Sequence, residues 1–286
     1  MSFHAAAEAP RLGEVGKWGR LVLRLARREG RTVVADQFWT LPLQVMPPSY
    51  QDDDDQAYVY LLNPTGGIVQ GDRLETEVVL EAGARGLLTT QSATKVYRMD
   101  AGQAEERAHL VLRGDAALEY LPDPTIPFAG ARLARSTVVD LDPDSTLILT
   151  EIVAAGRVAR GERFAFDRLA IDVEVRVAGE AALVDRLRLA PRDGSPARPG
   201  IWDGYDYYGT LYACSPRLDA GLAARLAALM EAGAEVYAGA GQPAPGVAIA
   251  RVLGPGSEAV RGLLFDAWDL LRRPLLGKPA RPLRKF

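Results

Sequence analysis

The densest group of residues that could support chemistry is a glycine-rich segment at residues 63–72. It reads Asn-Pro-Thr-Gly-Gly-Ile-Val-Gln-Gly-Asp. Its glycines Gly66, Gly67 and Gly71 allow a positive φ and the close approach of another backbone. A phosphate-binding loop would need a Gly-Lys-Ser/Thr sequence and a following helix, whereas a strand is predicted directly after this segment. The pattern therefore predicts a tight, irregular turn that exposes Asp72.

A second group, at residues 89–98, follows a predicted buried strand and is rich in hydrogen-bonding side chains. Its candidate binding residues are Thr90, Gln91, Lys95, Tyr97 and Arg98. They could line a polar groove or bind the carboxylates of a partner. Threonine is also common in strands, and both cations could simply be solvated, so the sequence leaves the two interpretations open.

Nucleophilic catalysis and a resident soft-metal centre are not supported. The chain has only two histidines, His4 and His109, and no pattern links either to Ser92 or another nucleophile. The single cysteine, Cys214, excludes an internal disulfide and a thiolate cluster. Imidazole and thiolate, the usual ligands of soft metals, are therefore almost absent.

Carboxylates form the third group. They occur in the run at residues 52–55 and at Asp72, Glu119, Glu151, Glu162 and Asp185. A four-aspartate run is usually a solvated loop, and Asp185 could pair with a neighbouring arginine. Carboxylates hold nickel less firmly than imidazole or thiolate, so they could also pass a divalent ion along.

The composition is that of a globular protein. The chain has 286 residues, 48% of them hydrophobic, and its 34 Lys+Arg and 37 Asp+Glu give a formal charge of −3. A nucleic-acid-binding protein would normally carry a basic patch, so no nucleic-acid partner is expected. No secretion signal and no membrane-spanning apolar run is recognised, so we expect a cytoplasmic protein without a membrane partner.

Short runs with period-two alternation dominate the first two thirds of the chain. The predicted strands are 21–25, 57–62, 76–80, 87–90, 109–112, 137–141, 146–153, 169–177 and 181–187. Their spacing leaves no room for helical crossovers, which excludes an alternating βαβ architecture. A weak repeat at 80–87, 112–118, 141–147 and 177–183 joins an outgoing strand to a returning strand through a tight turn. It predicts either a short β-solenoid or layered hairpins.

The last third predicts two helices with a strand at 247–252 between them. The first helix should begin at Ser215-Pro216 and stop near Gly233, and the second should run from about Ser257 to Arg273 and end at Pro274. We thus predict a mainly β fold, a layered or β-helical stack of short strands with two C-terminal helices. It should form a single domain, 1–286, that is β-rich over 17–190, has a mobile loop at 191–209 and contains helices over 210–286.

Taken together, these motifs resemble the urease accessory protein D family, also called UreD or UreH. The matching segments are 63–72, 88–98, 118–122, 128–131, 161–164, 183–187 and 268–279. The sequence departs from the family pattern at Thr65 and Gln70, both within the glycine turn. The resemblance extends from about residue 17 over nearly the whole chain.

The resemblance implies a non-enzymatic scaffold that helps to insert nickel into urease. Family members contact the urease apoprotein and accessory protein F, which carries the GTPase accessory protein G, and an internal passage is proposed to conduct the ion. No cofactor would be bound stably, because nickel would be in transit. We hypothesise that Asp72, Asp185, Asp55 and Glu151 border this path or a partner surface; the alternative is that they brace turns.

Two other functions remain possible from the sequence. A β-solenoid with a groove of Asp72, Lys95 and Arg98 could be a secreted-type enzyme acting on an acidic polysaccharide. A generic protein-interaction module would bind partners without altering their nickel content.

Overall fold

The computed structural model describes residues 16–51 and 55–283 and has the predicted mainly β architecture. In chain order the strands are β1 (Trp18–Arg28), β2 (Arg31–Trp39), β3 (Gln44–Val45), β4 (Ala57–Leu62), β5 (Arg73–Leu80), β6 (Arg85–Thr90), β7 (Thr94–Val96), β8 (Ala104–Leu112), β9 (Ala117–Leu121), β10 (Thr125–Pro127), β11 (Arg132–Leu141), β12 (Thr146–Ala154), β13 (Arg168–Val177), β14 (Glu180–Leu189), β15 (Tyr207–Cys214), β16 (Tyr237–Ala244) and β17 (Val247–Gly254). The α-helices of the described part are α1 (Ala220–Glu231) and α2 (Ser257–Leu276), and a short 3₁₀ helix spans Val158–Arg160.

The strands form two sheets that enclose a common core. Sheet A has seven strands in the order β14-β13-β11-β8-β5-β1-β2. Sheet B has the strand order β16-β17-β15-β12-β9-β6-β4-β3. Two further short strands extend it, because β10 pairs with β12 and β7 pairs with β10. The central strands of each sheet run parallel to one another, β5, β8, β11 and β13 in sheet A and β4, β6, β9 and β12 in sheet B.

Three of the four predicted repeats are successive turns of a solenoid. Each connects a strand of sheet A to a strand of sheet B: β5 to β6, β8 to β9, and β11 to β12. The three turns are closed by equivalent backbone hydrogen bonds, from Ala84 to Glu81, from Ala116 to Arg113 and from Ser145 to Asp142. The fourth repeat, 177–183, is different: it turns an antiparallel hairpin between β13 and β14 within sheet A. The solenoid alternative is therefore confirmed for the first three repeats only.

Three apolar clusters pack this fold. The central core, between the sheets, includes Leu23, Val78, Leu110, Val139, Leu141, Leu147 and Leu149. The end core, near the N-terminal ends of the parallel strands of sheet A, includes Leu74, Val96, Leu133, Val153, Phe166 and Leu169. The helix cluster joins α1 and α2 to the outer face of sheet B and includes Leu87, Ile148, Leu226, Leu264 and Leu271.

The beginning of α1 differs from the prediction. The N-cap is Asp219, whose Oδ1 accepts a hydrogen bond from the Leu222 N–H at 2.7 Å, so the helix begins at Ala220 rather than at Ser215-Pro216. The Ser215 hydroxyl instead lies 2.9 Å from Thr146 Oγ1 in the adjacent strand and accepts from the Arg217 N–H. Ser215, the predicted N-cap, therefore contacts β12 instead of capping α1.

The end of α2 also differs, because the helix continues through Pro274 to Leu276 and stops at the left-handed C-cap Gly277. Proline normally disrupts a helix interior by removing a donor and crowding the preceding turn. Here Leu275 and Leu276 are buried in the helix cluster, which favours continuation. The prediction that Pro274 ends the helix is wrong.

A buried ion pair attaches α2 to sheet B. The side chains of Arg272 and Glu119 are both 0% exposed, and Arg272 Nε donates to Glu119 Oε1 at 2.9 Å. The guanidinium also donates to Gln56 Oε1 at 2.8 Å and to the Pro279 carbonyl, which holds the segment after α2. Glu119 receives a further hydrogen bond from the Trp268 indole. This network fixes both the helix and the segment that follows it.

The predicted loop at 191–209 is shorter than expected, because β15 begins at Tyr207. Its Trp202 side chain is buried in the end core. The predicted mobility of this loop and the single-domain organisation stay predictions. Among the described residues, no helix combines the length and the apolar character needed to span a bilayer.

A buried polar layer as the candidate functional site

Polar side chains interrupt the apolar interior at one level of the sandwich. On β11, Val139 and Leu141 belong to the central core, and Leu133 belongs to the end core. Because alternate residues of a strand face the same side, Arg135 and Thr137 lie on the inner face between these two clusters. The equivalent inward positions on neighbouring strands are Thr76, Glu106, Glu151, Asp185, Thr210 and Arg251. We call these eight residues the polar layer.

An arginine bridges two carboxylates at the centre of this layer. Arg135 and Glu106 are register partners on adjacent strands of sheet A, and Arg135 Nε donates to Glu106 Oε2 at 2.8 Å. Across the gap between the sheets, Arg135 Nη1 donates to Glu151 Oε2 at 3.1 Å and to Thr125 Oγ1 at 2.8 Å. The side chains of Arg135 and Glu151 are only 13% and 8% exposed.

A cavity of about 80 Å³ lies against this triad. Its lining includes Thr76, Thr90, Tyr120, Asp123 and Thr137 together with the triad itself. A site of this volume with several polar partners can hold a few water molecules. The layer therefore contains space that a small hydrated species could enter.

Burial and charge shape the proton affinities of the triad. Burial raises the pKa of Glu151, and the Arg135 guanidinium opposes that shift. Burial alone would lower the pKa of Arg135, but the carboxylates of Glu106 and Glu151 raise it, so the guanidinium stays charged. Burial also raises the pKa of the adjacent Tyr120, which keeps its proton at neutral pH.

A second charged group lies in the layer where β14 of sheet A faces β15 and β17 of sheet B. Asp185 Oδ2 accepts a hydrogen bond from the Tyr212 hydroxyl at 2.8 Å, and Asp185 Oδ1 accepts from Arg251 Nη2 at 2.9 Å. Arg251 is 48% exposed, so this end of the layer reaches solvent. Thr210 lies between Glu151 and Arg251 in the strand register of sheet B.

Asp72 is buried rather than exposed, which corrects the expectation for the glycine turn. The residue is 1% exposed, and its two carboxylate oxygens accept hydrogen bonds from the backbone N–H groups of Lys17 at 2.8 Å and Val69 at 2.9 Å. These bonds hold the turn against the segment that precedes β1. A strand, β5, follows the turn as predicted.

The other predicted carboxylates lie apart from Asp72. Asp55 pairs with Arg27 at 3.2 Å and with Arg85 at 3.7 Å, while Asp185 and Glu151 belong to the polar layer. Residues 52–54 of the aspartate run lie outside the described residues. Within 16–51 and 55–283, no three His, Cys, Asp or Glu side chains come together in a group that could hold a metal ion.

The glycine turn and the second predicted group meet at Gly67. A Cβ atom at this position would lie 2.6 Å from the Lys95 carbonyl oxygen and 2.6 Å from the Tyr97 ring, and its φ is +156°. The Tyr97 hydroxyl donates to the Gly66 carbonyl at 3.3 Å, and Gly71 has a φ of +77°. Gly67 therefore permits the close approach that the sequence predicted, and Gly66 and Gly71 adopt the predicted positive φ.

The remaining residues of the second group are divided between the interior and the surface. Thr90 lines the cavity, and its hydroxyl accepts a hydrogen bond from the Asp123 N–H at 2.8 Å. Gln91, Lys95 and Arg98 are exposed. Since Asp72 is buried, it does not share an open groove with the two cations, and the geometry expected for an acidic-polysaccharide site is not formed.

Sequence reasoning missed Glu106 and Arg135, although a signal for both was present. Each occupies an inward position of a strand whose other inward positions are mostly apolar. A charged residue at such a position is costly unless it is paired, so it marks a buried polar contact. The two partners could not be matched before the register of the solenoid was known.

Comparison with known proteins identifies relatives over almost the entire chain. The family model described as UreD urease accessory protein matches residues 17–285. The urease accessory protein UreD of Actinomyces naeslundii is 35% identical over 94% of this chain and 98% of that protein. The UreD of Natronomonas pharaonis is 37% identical over 95% of this chain and 92% of its own length. A Streptomyces griseus protein named urease accessory protein UreD 2 is 35% identical over 96% of this chain and 95% of its own.

Proposed function

Because the chain belongs to the UreD family of urease accessory proteins, we propose that it is a maturation scaffold through which nickel reaches apo-urease. In this proposal it works in a complex with accessory protein F, the GTPase accessory protein G and the urease apoprotein. Nickel is cargo in transit rather than a stably bound cofactor. The chain performs no bond-making chemistry itself, and we expect it to act in the cytoplasm.

The polar layer is the observation that carries this proposal. Its carboxylates Glu106, Glu151 and Asp185 outnumber its cations Arg135 and Arg251 by one, which favours the entry of a cation. Oxygen ligands hold nickel more weakly than imidazole or thiolate. A route needs sites that are attractive enough to enter and weak enough to leave, and spaced carboxylates provide such sites.

The energetics of the fold also argue for a functional layer. Apolar residues at these inward positions would join the central core to the end core without any desolvated charge. Replacing a buried ion pair by well-packed apolar side chains is often neutral or stabilising. A charged layer is therefore not expected to stabilise the fold more than an apolar one would, which supports a role for it in transport.

Two adjacent glutamates on β8 provide a matched test of the route. Glu106 faces the interior, whereas Glu105 faces outward and pairs with Arg107 at 2.9 Å. Glu106→Gln removes the excess negative charge of the layer, so it should slow nickel incorporation into apo-urease. Glu105→Gln should leave incorporation at the wild-type rate. Nickel bound to urease is measured over time by elemental analysis after the proteins are separated.

Assembly must be measured in parallel, so that slow loading is not confused with loss of the complex. A pull-down on each variant should retain urease and accessory protein F to the same extent as the wild-type chain. Equal nickel incorporation by Glu106→Gln and wild type would remove the polar layer from the route. Failure of the wild-type chain to retain either partner would contradict the scaffold.

A further inference from the structure

Arg135 occupies the place between two carboxylates, the buried Glu151 and the partly buried Glu106, where an entering cation would be held. Its guanidinium contacts Glu106 from the same sheet at 2.5 and 2.8 Å and reaches Glu151 in the facing sheet at 3.1 Å. We infer that Arg135 is an internal gate, which closes a latent divalent-cation site formed by Glu106 and Glu151. This inference rests on the proposed function and names a regulating residue of the same site.

The position of the guanidinium distinguishes a gate from an ordinary ion pair. Arg135 and Glu106 already pair within sheet A, so the extension to Glu151 and Thr125 is not needed to neutralise Glu106. That extension closes the gap between the sheets beside the cavity. A side chain with several rotatable bonds can leave this position without any movement of the backbone.

A second, independent observation indicates that a ligand can be accepted here. Thr210, the register neighbour of Glu151, is 0% exposed, and its hydroxyl donates to the Tyr208 oxygen but accepts no hydrogen bond within the described part of the chain. A hydroxyl can donate one hydrogen bond and accept two, so the Thr210 oxygen keeps unused lone pairs in a buried position. An oxygen with this capacity next to Glu151 suits a hard or borderline divalent cation.

The gate explains why nickel would pass without being trapped. While Arg135 is in place, a divalent ion must displace the guanidinium, and the returning guanidinium later expels the ion. Without Arg135, the two carboxylates would face each other with only a cation to neutralise them. The route would then become a binding site that retains nickel instead of releasing it.

The test measures Ni²⁺ bound by the purified full chain. Arg135→Gln should bind Ni²⁺ at least about tenfold more tightly than the wild type in equilibrium dialysis, and Ni²⁺ should raise its melting temperature. Adding Glu151→Gln to this variant should abolish both effects. Arg132→Gln is the matched control, because Arg132 lies on the same strand, faces outward and pairs with Asp167 at 2.8 Å. It should behave as the wild type does.

A structural brace would give a different result. If Arg135 only holds the two sheets together, Arg135→Gln should be destabilised, bind no more Ni²⁺ than the wild type and gain no thermal stability from the ion. This outcome would refute the proposal that Arg135 is a gate. If Arg135→Gln does not fold even with Ni²⁺, the same Ni²⁺ binding measurement is made on Arg135→Lys. Its ammonium group keeps the charge but cannot span both carboxylates. A folded Arg135→Lys chain without enhanced Ni²⁺ binding also overturns it. Urease loading by the wild-type chain tests the proposed function separately, so the two failures are distinguishable.

Discussion

Removal of the Arg272 guanidinium should be among the most destabilising single changes in this protein. Arg272 and Glu119 are fully buried, so Arg272→Met leaves an uncompensated carboxylate next to apolar side chains of the helix cluster. Breaking a buried pair in this way costs about 3–5 kcal/mol of unfolding free energy. Whole-protein stabilities are only about 5–15 kcal/mol, so the variant should be close to unfolding under mild denaturant.

The adjacent residue provides the control. Arg273 is 60% exposed and pairs with Asp269 within the same helix, so Arg273→Met should cost less than about 1 kcal/mol. The double variant Glu119→Gln/Arg272→Met contains no buried charge and should recover at least about 1 kcal/mol relative to Arg272→Met. Urea unfolding, followed by circular dichroism and tryptophan fluorescence, measures all three. Equal stability of the two single variants would refute the reasoning.

Three further predictions concern the glycine turn, the buried cysteine of the central core and an ion pair on α2. Gly67→Ala should cost at least about 2 kcal/mol because its Cβ would clash, whereas Gly102→Ala, with nothing within 4 Å, should cost roughly 1 kcal/mol; similar melting temperatures would contradict the clash. Burial raises the pKa of the Cys214 thiol to about 11, so iodoacetamide at pH 8 should label it only after unfolding; rapid labelling of the native chain would contradict its burial. The hydrogen bond from Arg273 lowers the pKa of Asp269 in the folded chain. The stability that the ionised Asp269 contributes is therefore complete above the pKa that this residue has in the unfolded chain, and it is lost as the pH falls through the pKa that it has in the folded chain. The stability difference between wild type and Asp269→Asn should therefore shrink below about pH 4, and a constant difference would disprove the effect.

The strands that the sequence predicted best are those buried on the inner face. The run 57–62 coincides with β4, and the other predicted runs fall within longer strands. The short strands β3, β7 and β10 and the longer strands β2, β15 and β16 were missed. β15 lies inside sheet B, between β12 and β17, whereas β2 and β16 lie at sheet edges. β2 is exposed over its second half, and β16 reads Tyr-Ala-Gly-Ala-Gly-Gln-Pro-Ala, so neither shows apolar alternation. Their pairing depends on the neighbouring strand rather than on their own propensity.

The candidate site was predictable in part. Glu151 and Asp185 were proposed for the nickel path, and they lie in the polar layer, while Asp72 and Asp55 bind backbone and arginine partners elsewhere. The chain sequence contains no direct indication that Glu106, Arg135 and Glu151 meet, because they come from three strands in two sheets. Their contact is set by the solenoid register. The roles of all these residues in nickel transfer stay predictions.

The nickel content of urease tests the central claim most directly. Apo-urease is incubated with Ni²⁺, GTP and accessory proteins F and G, with and without this chain, and nickel per active site is measured on the separated enzyme. We predict that urease acquires its nickel efficiently only in the presence of the chain. Equal metallation in its absence would contradict the account.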